Sequence, residues 1–153
     1  MTLKAGDKAP DFTLSDETGA SRSLSEFLAQ GPVVLFFYPA AMTSGCTKEA
    51  CHFRDLAAEF AATGAQRLGI SVDEVSKQAE FSKAHGFDYP LLADVGGTVA
   101  DAFGVKRSGF MAKLTPVKRA TFVIGTDGVI KAAITSETKM DVHADSALKA
   151  LAG

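Results

Sequence analysis

The sequence has no tryptophan, two tyrosines and only two cysteines in 153 residues. Two cysteines cannot staple a small secreted fold, so the chain must hold itself together with an apolar core. Strong charge of either sign is also missing: 16 basic against 18 acidic side chains leave a formal net charge of -2. Without a global positive field there is no electrostatic case for nucleic acid or an anionic membrane surface as a partner. The longest strongly apolar run is Val33-Val34-Leu35-Phe36-Phe37, far short of the roughly 20 residues of a membrane-spanning helix. The opening residues, Met1 to Asp7, carry no apolar stretch of the kind an export signal needs. A cytoplasmic protein is expected, where a pair of cysteines is more often redox-active than structural. Internal repeats, low-complexity tracts and Pro/Ser-rich linkers are absent too, and residues 1–153 are read as a single domain. Three histidines and two cysteines in scattered positions do not make a zinc spacing, so no metal and no cofactor is expected.

What is present is enough hydrophobic mass for a core, 46% of residues with 11 phenylalanines among them. Phe12-Thr13-Leu14, the turn chemistry of Asp16-Glu17-Thr18-Gly19 and Ser23-Leu24 suggest an N-terminal β-hairpin. Val33 to Phe37 is β-branched and aromatic throughout, a strand buried on both faces that ends at Pro39. From Cys46 the apolar residues Ala50, Phe53, Ala57 and Phe60 recur at helical steps, predicting one amphipathic helix that stops at Gly64. Leu68 to Val72 reads as a strand, Val75 to His85 as a helix closed by Gly86, and Val99 to Phe103 as a short helix. Arg119 to Ile124 and Val129 to Ile134 form two β-rich segments joined by Gly125-Thr126-Asp127-Gly128, followed by a terminal helix marked by Ala144, Ala147, Leu148 and Leu151. This order predicts an α/β fold with a central mixed sheet flanked by helices.

The chemistry concentrates between the first buried strand and the helix after it, in Tyr38-Pro39-Ala40-Ala41-Met42-Thr43-Ser44-Gly45-Cys46-Thr47-Lys48-Glu49-Ala50-Cys51. A cysteine in the first turn of a helix meets unpaired backbone N–H groups and the positive end of the macrodipole, which favour thiolate over thiol. Free cysteines are also common as inert packing residues, and position alone leaves both readings of Cys46 open. Thr43 can place a hydroxyl in the same cup on a turn tightened by Gly45, with Pro39 stiffening the approach; it can equally be a helix cap. Arg54 and Arg67 read as solvated, and His52 as a helix-surface residue.

Pro39, Thr43 and Cys46 match the P-x-x-x-T/S-x-x-C signature of peroxiredoxins, and the chain resembles that family. Thr47-x-Glu49-Ala50-Cys51, with its second cysteine five residues after the first, is similar to the bacterioferritin-comigratory or PrxQ branch. The opening Gly6 to Leu14, the segment Tyr89 to Asp94 and Arg119 to Ile124 also resemble family segments, so the likeness covers nearly the whole chain. Relatives often carry Lys-Asp and Pro where this chain has Ala40-Ala41 and Ser44, positions that would rim the pocket and bear on substrate range and docking.

The resemblance implies a thioredoxin-like fold, Cys46 as the nucleophile toward hydroperoxides and Cys51 as the resolving thiol. It also implies Arg119 as the active-site arginine and Glu49 as the group that orients it, although a Glu in a first helical turn is common without such a role. The implied reductant is a thioredoxin-like dithiol, and the implied assembly a monomer or weak homodimer. Two other functions are compatible with the fold alone: a disulfide reductase, which would want a C-x-x-C spacing that is missing, and a non-catalytic redox sensor. The five-residue spacing has its own consequence. In an intact α-helix the two Cα atoms would lie about 8.6 Å apart, and a disulfide rarely spans more than about 6.8 Å. A Cys46–Cys51 bond therefore requires the start of the helix to unwind.

Overall fold

The computed structural model describes residues 2–109 and 115–152. Its seven strands are β1 (Thr13–Asp16), β2 (Ser21–Ser23), β3 (Val33–Phe37), β4 (Gln66–Ser71), β5 (Leu91–Ala93), β6 (Ala120–Ile124) and β7 (Ile130–Thr135). They form one sheet in the order β2-β1-β5-β4-β3-β6-β7. The middle is parallel, β3 with β4 and β4 with β5, because helical crossovers separate those strands. The flanks are antiparallel: β6 runs against β3 and β7, and β1 against β5 and β2. All five residues of β3 and of β6 are buried, as continuous apolar runs at the centre of a covered sheet should be.

Helices α1 (Leu24–Leu28), α2 (Ser44–Asp55), α3 (Ala57–Thr63), α4 (Val75–His85), α5 (Thr98–Ala102) and α6 (Met140–Ala152) cover both faces. The period of two along each strand sorts the side chains. Val33, Leu35, Phe37, Leu68, Ile70, Phe122 and Ile124 point to the face closed by α1 and α5. Val34, Phe36, Tyr38 and Val123 point to the opposite face, where α2, α3, α4 and α6 pack. Position 69 faces that second side and is glycine because a Cβ there would come within 2.7 Å of Leu91 Cδ2 and 3.0 Å of the Phe36 ring.

The hairpin, the central strands and helix α4 fall where the residue pattern puts them, and the terminal helix begins earlier, at Met140. The short elements α1 and β5 escape a pattern reading, although Ser23 and Glu26 form a full capping box at the start of α1. The expected single helix from Cys46 to Gly64 is instead two, interrupted at Leu56, and it starts at Ser44. The cause is Arg67: its Nη1 donates to the Phe53 carbonyl at 2.8 Å, taking an acceptor that a continuous helix would use internally. Arg67 is accordingly not a solvated residue. It is 9% exposed, its guanidinium lies over the Tyr89 ring at 5.0 Å, and it pairs with Asp88 at 2.7 Å.

Candidate active site

Register places the site. Phe37, the last residue of β3, sits opposite Ala120, the first of β6. Arg119 thus lies beside the end of β3, where the chain leaves the sheet as the loop 38–43 and enters α2. Arg119 shares its strand face with Thr121 and Val123, the side on which α2 packs. The strand pairing, and not proximity in sequence, brings residues 119 and 46 together.

Cys46 is 1% exposed, in the first turn of α2. Arg119 Nη2 donates to its Sγ at 3.3 Å and Arg119 Nη1 donates to Glu49 Oε1 at 2.7 Å. Gly45 makes this approach possible, since a Cβ at that position would lie 3.3 Å from Arg119 Nη2 and 3.1 Å from Met140 Cε. The first intrahelical bond of α2 runs from the Thr47 N–H to the Thr43 carbonyl, which leaves the N–H groups of Ser44, Gly45 and Cys46 without helical partners at the mouth of the site. Pro39, in the loop before α2, is buried.

Thr43 occupies the N-cap position, yet its hydroxyl makes no cap bond. It donates to the Ala40 carbonyl at 2.8 Å. With its proton engaged there, the hydroxyl offers only lone pairs to a further partner and acts toward it as an acceptor. Its neighbour Met42 has φ 68, a left-handed conformation that a non-glycine residue holds only when its surroundings impose it. The restraint is visible one residue back, where the Ala41 N–H donates to Asp73 Oδ2 at 2.7 Å and Ser71 donates to the same oxygen. Tyr38 Oη donates to Gln78 Oε1 at 2.5 Å, and Gln78 Nε2 donates onward to Ser71 Oγ and the Leu92 carbonyl. The loop is thus held by a buried polar network rooted in the ends of β4 and β5.

Glu49 has no exposed surface. Burial pushes its carboxyl up to about 8 even though the Arg119 guanidinium pulls it down. Burial disfavours the charge on Arg119, but Glu49 and the Cys46 sulfur outweigh it and leave the guanidinium more firmly protonated than usual. Cys51 differs sharply from Cys46. It is half-buried, opens on a cavity of about 280 Å³ lined with Lys48, His52, Asp55 and Asp141, and burial pushes its thiol up. Both cysteines are free on the same helix. The site therefore pairs a buried sulfur facing a fixed cation with a more accessible thiol one and a half turns away. Among the described residues no cluster of three or more His, Cys, Asp or Glu is placed to hold a metal, and no helix is long and apolar enough to cross a membrane.

The family model for the AhpC/TSA family matches residues 5–133. The chain belongs to the peroxiredoxins. It is 62% identical to the peroxidoxin BcpB of Mycobacterium tuberculosis, whose crystal structure superposes with a TM-score of 0.93 over 98% of this chain and 97% of that one. It is 39% identical over 149 residues to the chloroplastic peroxiredoxin Q of Oryza sativa, covering 97% of this chain and 67% of the relative. A structure of the Xanthomonas campestris bacterioferritin comigratory protein matches at 33% identity with a TM-score of 0.83, over 92% and 90% of the two chains. The peroxiredoxin is thus of the bacterioferritin-comigratory/PrxQ branch and carries the mixed sheet of a thioredoxin-like fold.

Of the six residues singled out in the sequence, Cys46, Arg119 and Glu49 are joined directly, Thr43 is the N-cap residue of α2, Pro39 is buried in the loop before it, and Cys51 is half-buried further along α2. Sequence reasoning missed Asp73, Gln78 and the buried His143. Asp73 follows the end of a strand, the usual place for functional residues in such sheets, which is a usable but weak signal. His143 adjoins the apolar stripe of the last helix, and only its burial reveals it.

Proposed function

We propose that this peroxiredoxin reduces hydrogen peroxide and organic hydroperoxides with Cys46 as nucleophile and Cys51 as resolving thiol. The observation that carries the reading is the buried Cys46 sulfur held 3.3 Å from the Arg119 guanidinium. The Cys46 thiolate attacks the distal oxygen of the peroxide; an S–O bond forms, the O–O bond breaks, and water or an alcohol leaves after taking up a proton. Arg119 and the free N–H groups at the start of α2 stabilise the charge on the oxygens, and Thr43 accepts the hydrogen bond of the peroxide O–H. Sulfur is oxidised by two electrons to the sulfenic acid, which condenses with the Cys51 thiol to a disulfide and releases water. A thioredoxin-type dithiol then reduces that disulfide by exchange. Residues 1–153 act as one domain, without metal or cofactor, as a cytoplasmic monomer or weak homodimer.

Disulfide formation requires α2 to open between Cys46 and Cys51, as the helical separation of their Cα atoms demands. The anchors bound how far it opens: Tyr89 Oη donates to the Ala50 carbonyl at 2.6 Å and Arg67 holds the Phe53 carbonyl. The test is the intact mass of Cys51→Ser after one equivalent of hydroperoxide. One added oxygen on Cys46 is expected, with no turnover on a dithiol protein. Cys46→Ser should lose the first step altogether, and full turnover by that variant would overturn the assignment.

A further inference from the structure

Behind Arg119 lies a group that the peroxide chemistry just described does not use. His143, on α6, is 0% exposed and its ring lies between three elements. Nε2 is 2.8 Å from the Ser136 carbonyl, Nδ1 is 2.8 Å from Thr121 Oγ1, and Nδ1 is also 3.5 Å from Glu49 Oε2. Glu49 Oε2 is buried and has no hydrogen-bond partner among the described residues, while the other carboxyl oxygen is engaged by Arg119.

A carbonyl can only accept, so the Ser136 contact fixes a proton on Nε2. If the ring is neutral, Nδ1 is then a bare lone pair. A bare Nδ1 facing an ionised carboxylate oxygen that no side-chain or backbone donor engages is repulsive on both sides. One further proton removes the conflict, whether it sits on Oε2 or on Nδ1. The Thr121 hydroxyl suits either arrangement, because it can donate to a bare Nδ1 or accept from a protonated one.

We propose that Glu49 and His143 hold one shared proton, and that His143 is the positioning residue that keeps Glu49 from neutralising Arg119 in front of Cys46. The inference rests on Cys46 being the peroxide-reactive thiol. The pair is net neutral with its proton in either place, so the guanidinium charge remains available to the sulfur and the reacting oxygens. The charged groups that face it are Arg119 immediately before β6, Cys46 from α2 and Glu137 from the connection between β7 and α6. Burial pushes His143 down and Glu49 up to about 8, which favours the proton on the carboxyl at neutral pH. Above that range the pair loses its proton, Glu49 becomes the counter-ion of Arg119, and the peroxide step slows.

The proton count is measured in the wild-type protein at pH 7 by ¹⁵N NMR of the imidazole, assigned by its loss in His143→Asn, together with the infrared carboxyl band of Glu49, assigned by Glu49→Gln. A protonated carboxyl beside a neutral Nε2–H ring, or a carboxylate beside an imidazolium, supports the proposal. A carboxylate beside a neutral ring overturns it. The kinetic arm uses stopped-flow peroxide oxidation in the Cys51→Ser background. His143→Leu should begin to slow about one pH unit lower than the wild type as pH rises, the equivalent of a tenfold change in the Glu49 proton equilibrium. The loss should fade on acidification, which protonates Glu49 directly, and His143→Asn, which keeps an acceptor near Nδ1, should restore most of the rate. A His143→Leu protein with the wild-type pH profile overturns the proposal, and if that variant does not fold the proton count decides alone. Failure of Cys51→Ser itself to take an oxygen on Cys46 would instead refute the peroxidase reading, leaving the proton count to judge the Glu49–His143 pair.

Discussion

The two faces of the sheet are built from the same strands, yet they do different things. The face under α1 and α5 is closed by Phe12, Phe27, Phe37, Phe103, Phe122 and aliphatic neighbours, with edge-on and tilted aromatic contacts such as Phe37 to Phe122 at 5.9 Å. The face under α2, α3, α4 and α6 also has its aromatics, Phe36 stacked on Phe53 at 4.1 Å, but among them lie Cys46, Glu49, Arg119, Thr121, His143 and Gln78, all buried. Apolar burial stabilises wherever it occurs, whereas buried charges cost free energy unless each finds a partner. The first face thus supplies stability from apolar packing, its one buried carboxylate at the start of α5, Asp94, being engaged by the Val99 and Ala100 N–H groups. On the second, buried charged and polar groups are held at a cost in stability, offset by the hydrogen bonds that Arg119, Thr121, His143 and Gln78 make.

Substitutions that separate the two properties sharpen this contrast. Phe122→Ala, on the apolar face, is expected to cost about 3–5 kcal/mol in unfolding free energy by denaturant titration, while the folded variant keeps its peroxide rate within about twofold, less than half of a 1.36 kcal/mol barrier change. A tenfold loss of rate in that variant would break the division between faces. Arg119→Met, on the other face, should slow the peroxide step by at least about tenfold, roughly 1.4 kcal/mol. Stopped-flow rates within twofold of wild type would remove Arg119 from the site.

The pH dependence of stability should also belong to the second face. The Glu49 carboxyl is raised in the fold from 4.5 to about 8. Its contribution is complete below about 4.5 and is lost as pH rises through about 8. His143 is lowered, so its contribution runs the other way, present above its ordinary 6.5 and lost on acidification. Denaturant midpoints of Glu49→Gln should therefore fall less between pH 5 and pH 8 than those of the wild type, a range that lies within about 4.5 to 8. Equal slopes would mean that Glu49 is ionised in the folded protein throughout. The smallest effect is expected from Tyr89→Phe, which removes one hydrogen bond to α2 at a cost of about 1 kcal/mol. Amide exchange around Lys48 to Phe53 should then be faster in the reduced protein and closer to that of the disulfide form; unchanged exchange would show that Tyr89 does not anchor α2.

Much of this organisation is legible in the residues. The run Val33–Phe37 can only be a covered strand, Val75–His85 ends where Gly86 takes a left-handed conformation, and Pro39, Thr43 and Cys46 fall at the strand-to-helix junction that the signature requires. Other features left no local trace. Nothing in the sequence around Leu56 breaks a helix; the break comes from Arg67, a strand residue that reads as solvated until Phe60, Tyr89 and Asp88 are seen around it. Thr43 looks like a donor until its proton is found on the Ala40 carbonyl.

The sequence by itself determined the alternation of strands and helices, the family, and the location of a cysteine at a helix start, because periodicity, turn residues and the helix terminus are local properties. The tertiary structure alone decided which distant groups meet that cysteine. Arg119 reaches it through the register of β6 on β3, and His143 faces Glu49 because α6 packs over the same sheet face as α2. Such pairings depend on the summed packing of the whole sheet, and no stretch of chain near Cys46 encodes them on its own.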